Sequence, residues 1–123
     1  MAGLTAARLL QPAGWNVTVL DKGRVPGGRM ATRSFEGGRF DYGAQFFTLR
    51  DDALAAMAEQ WRAEGLAEPW TQYRYRAPKG MRSIAERLAE GLDIRTGVTA
   101  ASVSRDGTQW KVWTAAGEEL AAP

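Results

Sequence analysis

The sequence predicts an α/β fold organised around a parallel strand near its N-terminus. Three observations in the opening stretch predict this class. A segment rich in small residues spans residues 1–11, an apolar β-branched run at residues 16–21 ends in Asp21, and a double-glycine loop follows at residues 27–30. Small residues at helical spacing make a face that can lie close against a sheet. Apolar, β-branched runs are typical of buried parallel strands.

Composition limits the classes of function. The 123 residues are 45% hydrophobic and 24% charged, which fits one globular domain with a net charge of only +2. This small excess is weak support for nucleic-acid or membrane binding. The absence of cysteine and histidine excludes disulfides, thiolate metal sites and Ser-His-Asp catalysis within this sequence. No apolar run reaches the ~20 residues of a membrane span, and no signal-peptide pattern is present, so we expect a cytoplasmic chain without a metal site.

The opening helix and strand are spaced as in a dinucleotide-binding unit. Pro12 and Gly14 end the helix. Asp21 follows Gly3 by 18 residues, close to the spacing of about 20 at which an acidic residue binds a ribose hydroxyl. The alternative is a surface helix followed by a strand whose aspartate begins a turn.

The next loop favours a phosphate-bearing ligand. Gly27 and Gly28 let the backbone approach a ligand closely, and Arg29 can donate two hydrogen bonds to phosphate. The alternative is a Pro-Gly-Gly turn with a solvated arginine.

The middle of the chain predicts a hairpin, a helix and a strand. Thr32–Phe35 and residues 39–42 form the hairpin, and an aromatic segment follows up to Phe47. A helix at residues 51–65 has an aspartate cap. Residues 70–76 interleave aromatic and basic side chains, which would suit stacking on single-stranded nucleic acid. Simple alternation, with Tyr73 and Tyr75 inward, is the favoured interpretation.

The last third returns to helix and strand. Ser83 and Glu86 have capping-box spacing at the start of a helix, although the helix could begin at residues 80–81. A short strand follows at residues 93–98. A hairpin then spans residues 101–113 with Asp106-Gly107 at its turn, and a further strand covers residues 118–122.

These motifs together resemble the N-terminal part of FAD-dependent amine oxidases, most closely the bacterial renalase-like NAD(P)/FAD-dependent oxidoreductases. The resemblance rests on Gly3, Asp21, residues 27–30 and residues 40–47, and it extends over nearly all of the chain. It implies a partial Rossmann-like FAD-binding domain of the GR2 type, with a β-hairpin or meander and part of a substrate-domain insertion. The implied units are residues 1–48, 49–79 and 80–123.

The resemblance also implies a cofactor site. Gly3 would be the third fingerprint glycine, packing helix on strand, and Asp21 with its neighbour Lys22 would lie at the adenosine ribose. The pyrophosphate, flavin and adenine contacts would come from Gly27, Gly28, Arg29, Met30, Gly43, Ala44, Gln45 and Val98. For Val98, a buried strand valine is an equal alternative.

The family comparison further implies a chain truncated at both ends. The first strand and the first two fingerprint glycines would precede Met1, and a large substrate-binding part would follow Pro123. We therefore expect weak or no flavin binding in isolation and nominate no catalytic residue. A separately encoded C-terminal part is a conceivable partner.

By resemblance, the parent enzyme takes a hydride from a C–H next to nitrogen onto the flavin of FAD. Its small-molecule substrates would be amines or isomers of reduced nicotinamide dinucleotides. The alternative is a noncatalytic NAD(P)- or nucleotide-binding module, or an interaction module. An aspartate after the second strand suits NAD, but a Gly-Gly-Arg loop directly afterwards suits FAD better.

Overall fold

The computed structural model describes residues 1–122, which form three α-helices and ten strands in four small sheets. The helices are α1 (Ala2–Leu10), α2 (Asp52–Ala63) and α3 (Arg82–Ala89). The strands are β1 (Thr18–Asp21), β2 (Thr32–Phe35), β3 (Gly38–Asp41), β4 (Phe47–Thr48), β5 (Glu68–Thr71), β6 (Arg74–Arg76), β7 (Asp93–Thr96), β8 (Ala100–Asp106), β9 (Gln109–Thr114) and β10 (Glu119–Ala122).

The predicted parallel pairing is present. Strands β1 and β7 run parallel, with Thr18 opposite Asp93 and Asp21 opposite Thr96. Helix α1 ends in a 3-10 turn that stops at Gly14, whose φ of 89° is left-handed. Strand β1 is shorter than predicted and only partly buried. It therefore differs from the fully buried parallel strand that its composition suggests.

The β2–β3 hairpin closes through a tight turn and packs on the start of α3. Its turn residues Glu36 and Gly37 both have positive φ, 47° and 79°, as a two-residue type I′ turn requires. Thr32 and Asp41 lie opposite each other, and their side chains share a hydrogen bond of 2.5 Å. This pair connects the hairpin to α3, as described below.

Residues 70–76 do not form a single strand, and this corrects the sequence prediction. They form the antiparallel pair β5–β6, with β4 on the other side of β6. Tyr73 lies in the turn and is 70% exposed, so the prediction that it faces inward is wrong. Tyr75 does face inward and stacks on Phe47, with ring centroids 5.7 Å apart. Phe47 in turn meets Trp61 of α2 edge-on at 5.8 Å.

Helix α2 begins and ends as predicted. The carboxylate of Asp51 accepts a hydrogen bond from the Leu54 N–H at 2.8 Å, which satisfies one of the unpaired amides of the first turn. The chain leaves the helix through Gly65, whose φ is 70°.

Helix α3 lacks the predicted capping box. Ser83 lies inside the helix, and its hydroxyl donates to the Gly80 carbonyl at 2.8 Å. The first amides are satisfied from the hairpin instead: Met81 N–H donates to Asp41 at 2.9 Å and Arg82 N–H to Thr32 at 3.0 Å. A long-range cap therefore replaces the local one.

At its other end, α3 is fixed to α1. The guanidinium of Arg8 donates to the carbonyls of Leu88 at 2.9 Å and Arg87 at 3.1 Å, and it also bonds the Glu90 carbonyl. A cation at these terminal carbonyls also interacts favourably with the helix dipole. Both ends of α3 are thus held by side chains from distant parts of the chain.

The C-terminal residues form the predicted meander of β8, β9 and β10. The β8–β9 turn holds Gly107 at a φ of 60°. Every residue of β8 is exposed, as are the large side chains of Val103, Trp110 and Trp113. The core lies elsewhere, where α1, α2 and α3 converge. It comprises Leu4, Met30, Ala58, Trp61, Ala67, Ala77, Met81, Ile84, Ala85 and Leu88.

Within residues 1–122, no helix has the length and apolar character that a membrane crossing requires.

Candidate functional site

The carboxyl ends of β1 and β7 bring two of the predicted residues together. The Val98 N–H donates to the Asp21 carbonyl at 3.1 Å, and the Gly97 N–H donates to the Gly23 carbonyl at 2.8 Å. These two bonds continue the pairing of β1 and β7 beyond the strands themselves. Asp21 and Val98 therefore lie side by side at the edge where open α/β sheets bind ligands.

The carboxylate of Asp21 is held in a defined orientation. Its Oδ1 accepts a hydrogen bond of 2.7 Å from the Gly23 N–H, which is an Asx turn. Because a carboxylate accepts through two oxygens, Oδ2 can still accept a hydrogen bond from a ligand hydroxyl. Lys22, the next residue, is exposed.

The double-glycine loop has two different environments. A Cβ at Gly27 would lie 3.1 Å from the Cβ of Ala85, a close approach to α3, and the φ of 122° lies in the region that favours glycine. Gly28 has a φ of 51°, and no atom of residues 1–122 would lie within 4 Å of its added Cβ. Arg29 is exposed, whereas Met30 is buried in the core. The loop thus presents Gly28 and Arg29 outward and anchors itself through Gly27 and Met30.

The Gly43–Gln45 segment packs directly against this loop. The Ala44 N–H donates to the Arg29 carbonyl at 2.7 Å, and the Tyr42 N–H donates to the Ala31 carbonyl at 3.2 Å. A Cβ at Gly43 would overlap the Arg29 carbonyl oxygen. The structure therefore gives Gly43 a role within the protein: its missing side chain allows two backbone segments to touch.

Gln45 opens toward a small cleft of about 460 Å³, which also includes Phe40, Trp70 and Arg76. Gly3 lies on α1, away from any tight contact. Its added Cβ would be 3.7 Å from Cγ1 of Val19, an ordinary van der Waals distance. Helix and strand are therefore close here, but not so close that only glycine fits.

These residues suit part of an FAD molecule by their chemistry. A carboxylate with one oxygen available fits a ribose hydroxyl, and an exposed guanidinium beside an open glycine backbone fits a pyrophosphate. The described residues contain no group of three His, Cys, Asp or Glu side chains that could hold a metal ion. The arrangement is one for binding and orientation.

Two features of this region carry no local sequence signal. Gly80 has a φ of 87°, and its added Cβ would overlap the Thr32 side chain. A cleft rich in basic residues lies between the hairpin and α3, and its cations come from segments far apart in the sequence. Only the tertiary structure brings these side chains together.

Comparisons with known proteins agree on the class of domain. Residues 1–61, about half of the chain, match the family described as an NAD(P)-binding Rossmann-like domain. A phytoene desaturase (neurosporene-forming) from Cereibacter sphaeroides is 49% identical over 49 residues, which cover 40% of this chain and 10% of that protein. A hydroxyneurosporene desaturase from Rubrivivax gelatinosus is 44% identical over 50 residues, which cover 41% and 10%.

Among solved structures, the Diels-Alderase PyrE3 of pyrroindomycin biosynthesis is similar in fold, with a TM-score of 0.60 and 18% identity. The similarity covers 96% of this chain and 28% of that one. The chain spans about 10% of the length of the curated relatives it matches. Together the matches indicate a Rossmann-like nucleotide-binding domain and are consistent with FAD as the cofactor.

Proposed function

We propose that this chain forms the adenosine and pyrophosphate side of an FAD site in a flavin-dependent oxidoreductase. One observation carries the proposal above the others. Asp21 and Val98 are hydrogen-bonded neighbours at the carboxyl ends of two parallel strands, where nucleotides bind in open α/β sheets.

In this proposal Asp21 and Val98 hold the adenosine. Oδ1 of Asp21 is engaged by Gly23, so Oδ2 accepts the hydrogen bond from the ribose hydroxyl. The Val98 N–H already donates to Asp21, which leaves the Val98 carbonyl to accept from the adenine amino group. The two roles are compatible because one residue uses its side chain and the other its backbone.

We assign the pyrophosphate to the exposed part of the glycine loop. Arg29 has its carbonyl bonded to Ala44, which fixes its backbone while its guanidinium remains exposed for the phosphates. Gly28 offers an open backbone surface next to it. Gly43, Ala44 and Gln45 continue from this point toward the cleft at Gln45, which is the side we assign to the flavin ring.

When bound, FAD supplies the redox chemistry by accepting a hydride. The residues of this chain bind and orient the cofactor, and none is assigned a proton-transfer role. For the complete enzyme we propose a substrate with a C–H next to nitrogen, as in amine-oxidase and renalase-like proteins. The supporting observation is the resemblance carried by residues 27–30 and 40–47.

A second candidate reaction is desaturation of a hydrocarbon. It is favoured by the two desaturases, which are 49% and 44% identical to this chain over 49 and 50 residues. The two reactions share hydride transfer to flavin and differ in the substrate that donates it.

Thermal unfolding with added nucleotide tests the cofactor assignment. A ligand that binds only the native state raises the melting temperature by mass action. We expect 1 mM FAD to stabilise the chain more than 1 mM NAD does. The effect should be modest, because the sequence has no Gly-x-Gly turn to cradle the pyrophosphate.

Asp21→Ala should abolish most of the FAD shift, since it removes the ribose acceptor. Asp93→Ala is the matched control, because Asp93 is a carboxylate at the opposite end of the same strand pair. Stabilisation by NAD but not FAD would favour an NAD(P)-binding module. No shift with either nucleotide would favour an interaction module and contradict the proposal.

A further inference from the structure

A second cleft lies beside the proposed FAD site. It has a volume of about 1160 Å³ and is formed by the β2–β3 hairpin, the loop before α3 and the first turns of that helix. None of the residues assigned to FAD lines it. We call it the basic cleft; its lining side chains include Arg24, Arg33, Arg39, Lys79, Arg82 and Glu86.

The positive charge of the chain is concentrated in the basic cleft. It contains five of the 16 Lys and Arg residues but only one of the 14 Asp and Glu residues. The rest of the chain therefore carries more acidic than basic side chains. A concave surface lined by one sign of charge focuses the field and attracts a counter-ion.

The five cations of the basic cleft have no salt-bridge partner among the residues that the structure describes. Salt bridges elsewhere involve Arg62, Arg76, Arg87, Arg95 and Lys111. Arg39 donates to the Lys79 carbonyl at 3.3 Å, and this bond leaves its charge uncompensated. Like charges gathered without partners repel one another, and a bound anion would relieve that repulsion.

The wall of the basic cleft is fixed rather than loose. Thr32 and Asp41 accept hydrogen bonds from the first amides of α3. Because these amides are engaged, an anion in the cleft must be bound by side chains and not by the helix N-terminus. The same contacts hold Arg82 of α3 against the hairpin that carries Arg33 and Arg39.

Aromatic rings complete the lining. Phe35, Phe40 and Tyr42 border the basic cleft and are 60%, 58% and 69% exposed. Exposed aromatic side chains beside arginines offer stacking faces for a planar ring. The cleft thus combines groups for an anion with groups for an aromatic ring.

We propose that the basic cleft binds a nucleoside polyphosphate, with the phosphates on the arginines and the base on the exposed aromatic rings. This site adjoins the cleft assigned to the flavin ring, because Arg39 and Phe40 line both, but its argument does not depend on that assignment. The volume of about 1160 Å³ is slightly above the roughly 300–1000 Å³ of typical ligand pockets, so a small molecule fits within the cleft. A nucleic acid is disfavoured because the remainder of the surface is net acidic.

Calorimetric titration of the full chain with ADP and with inorganic pyrophosphate tests the proposal. Both should bind, ADP more tightly because it adds stacking. Arg24→Ser combined with Arg33→Ser should weaken both by roughly tenfold or more, because each guanidinium makes charge-assisted hydrogen bonds. Phe40→Ala should weaken ADP and leave pyrophosphate within about twofold.

The matched control is Arg62→Ser combined with Arg105→Ser, which removes the same charge outside the basic cleft. An equal loss of affinity for ADP and pyrophosphate in the two double variants would overturn the proposal, since binding would then follow net charge alone. If Asp21→Ala lost ADP binding while the Arg24→Ser, Arg33→Ser double variant retained it, ADP would bind at the FAD site. That result would also overturn the proposal. So would the absence of ADP binding at 1 mM.

Discussion

At the scale of single residues, the same amino acid serves different purposes in this chain. Gly43 permits one backbone segment to touch another, since a Cβ there would overlap the Arg29 carbonyl oxygen. Gly28 is exposed and has open space around it, as expected where a ligand approaches. Gly3 has no such overlap, since its added Cβ would lie at an ordinary distance of 3.7 Å from Val19. Three glycines predicted to belong to one cofactor-binding unit thus differ in what the protein itself requires of them.

Two alanine substitutions should therefore change stability in opposite directions. Gly43→Ala should lower the free energy of unfolding by about 1–3 kcal/mol, because the overlap is with backbone and cannot be relieved by a side-chain rotation. Gly3→Ala should raise it by up to about 1 kcal/mol, because alanine favours the helix and its Cβ meets Val19 at 3.7 Å.

Urea denaturation followed by circular dichroism measures both free energies. A Gly43→Ala variant as stable as the wild type would contradict the close packing of residues 29 and 43. A destabilised Gly3→Ala variant would mean that α1 lies nearer to β1 than described.

At the scale of elements, α3 is organised by contacts that are distant in sequence. Its first amides are bonded by Thr32 and Asp41, and its last carbonyls by Arg8. A helix of eight residues is too short to be stable alone, so these contacts and its buried face must maintain it.

The Thr32–Asp41 pair should act as one unit. Thr32→Val and Asp41→Ala should each cost about 1–3 kcal/mol, since each leaves a partly buried amide of α3 without its acceptor. In a double-mutant cycle the two effects should be non-additive by roughly 0.5 kcal/mol or more. Ser34→Val, an exposed position on the same strand, is the control and should change stability by less than about 0.5 kcal/mol. Strict additivity would show that the two side chains do not cooperate.

An ion pair between α2 and α3 predicts a pH effect. Arg87 donates to both carboxylate oxygens of Glu64 at 2.9 and 3.0 Å, and these hydrogen bonds lower the pKa of Glu64 below its ordinary value of 4.5. The unfolded chain then binds more protons than the folded chain in this range, so stability rises with pH. The contribution is complete above pH 4.5 and is lost as the pH falls through the folded pKa.

Comparing Glu64→Gln with the wild type isolates this contribution. Urea titrations between pH 3 and 7 should show a difference in the free energy of unfolding between the two proteins. This difference should be constant near pH 7 and should shrink below the ordinary Glu64 pKa of 4.5. Glu59→Gln is the control, because Glu59 meets Arg62 only at 3.6 Å on an exposed surface. A difference that does not change with pH would show that the ion pair contributes nothing.

The sequence was sufficient for elements defined by local signals. The helix at Asp51, the hairpin around Glu36-Gly37 and the meander turn at Gly107 all follow from capping and turn chemistry that lies within a few residues. The Ser83 capping box was wrong because α3 begins earlier, at Arg82, where Asp41 and Thr32, 40 and 50 residues away, accept from the amides of Met81 and Arg82. Residues 70–76 fold back on themselves because β5 pairs with β6, a local hairpin that simple alternation did not indicate, and the pairing of β6 with β4 is non-local.

In the candidate site, too, some residues follow from sequence patterns and others only from contacts that are distant in sequence. Sequence spacing suggested Asp21, and the structure brings Val98 beside it through the parallel pairing of β1 and β7. The role of Gly43 in backbone packing and the gathering of five cations in the basic cleft had no sequence signal. The first depends on the contact of residues 42–44 with residues 29–31, and the second on where the hairpin packs against α3. Local patterns encode neither.

At the scale of the whole molecule, the chain combines a parallel strand pair carrying Asp21 with a hairpin carrying the basic cleft. Helix α3 connects the two regions, because it packs on α1 at one end and on the hairpin at the other. Two nucleotide-type ligands are therefore assigned to this chain, FAD at the carboxyl ends of the strands and a polyphosphate at the hairpin.

The central claim is that FAD binds at the carboxyl ends of β1 and β7. The most direct test is a titration of the 15N-labelled chain with FAD up to 1 mM, followed by amide chemical shifts. We expect shifts at Gly23, Gly28, Arg29 and Val98, with the meander of β8, β9 and β10 unchanged, and we expect these shifts to be lost in Asp21→Ala. Shifts confined to the meander or the basic cleft, or no shift at any amide, would contradict it.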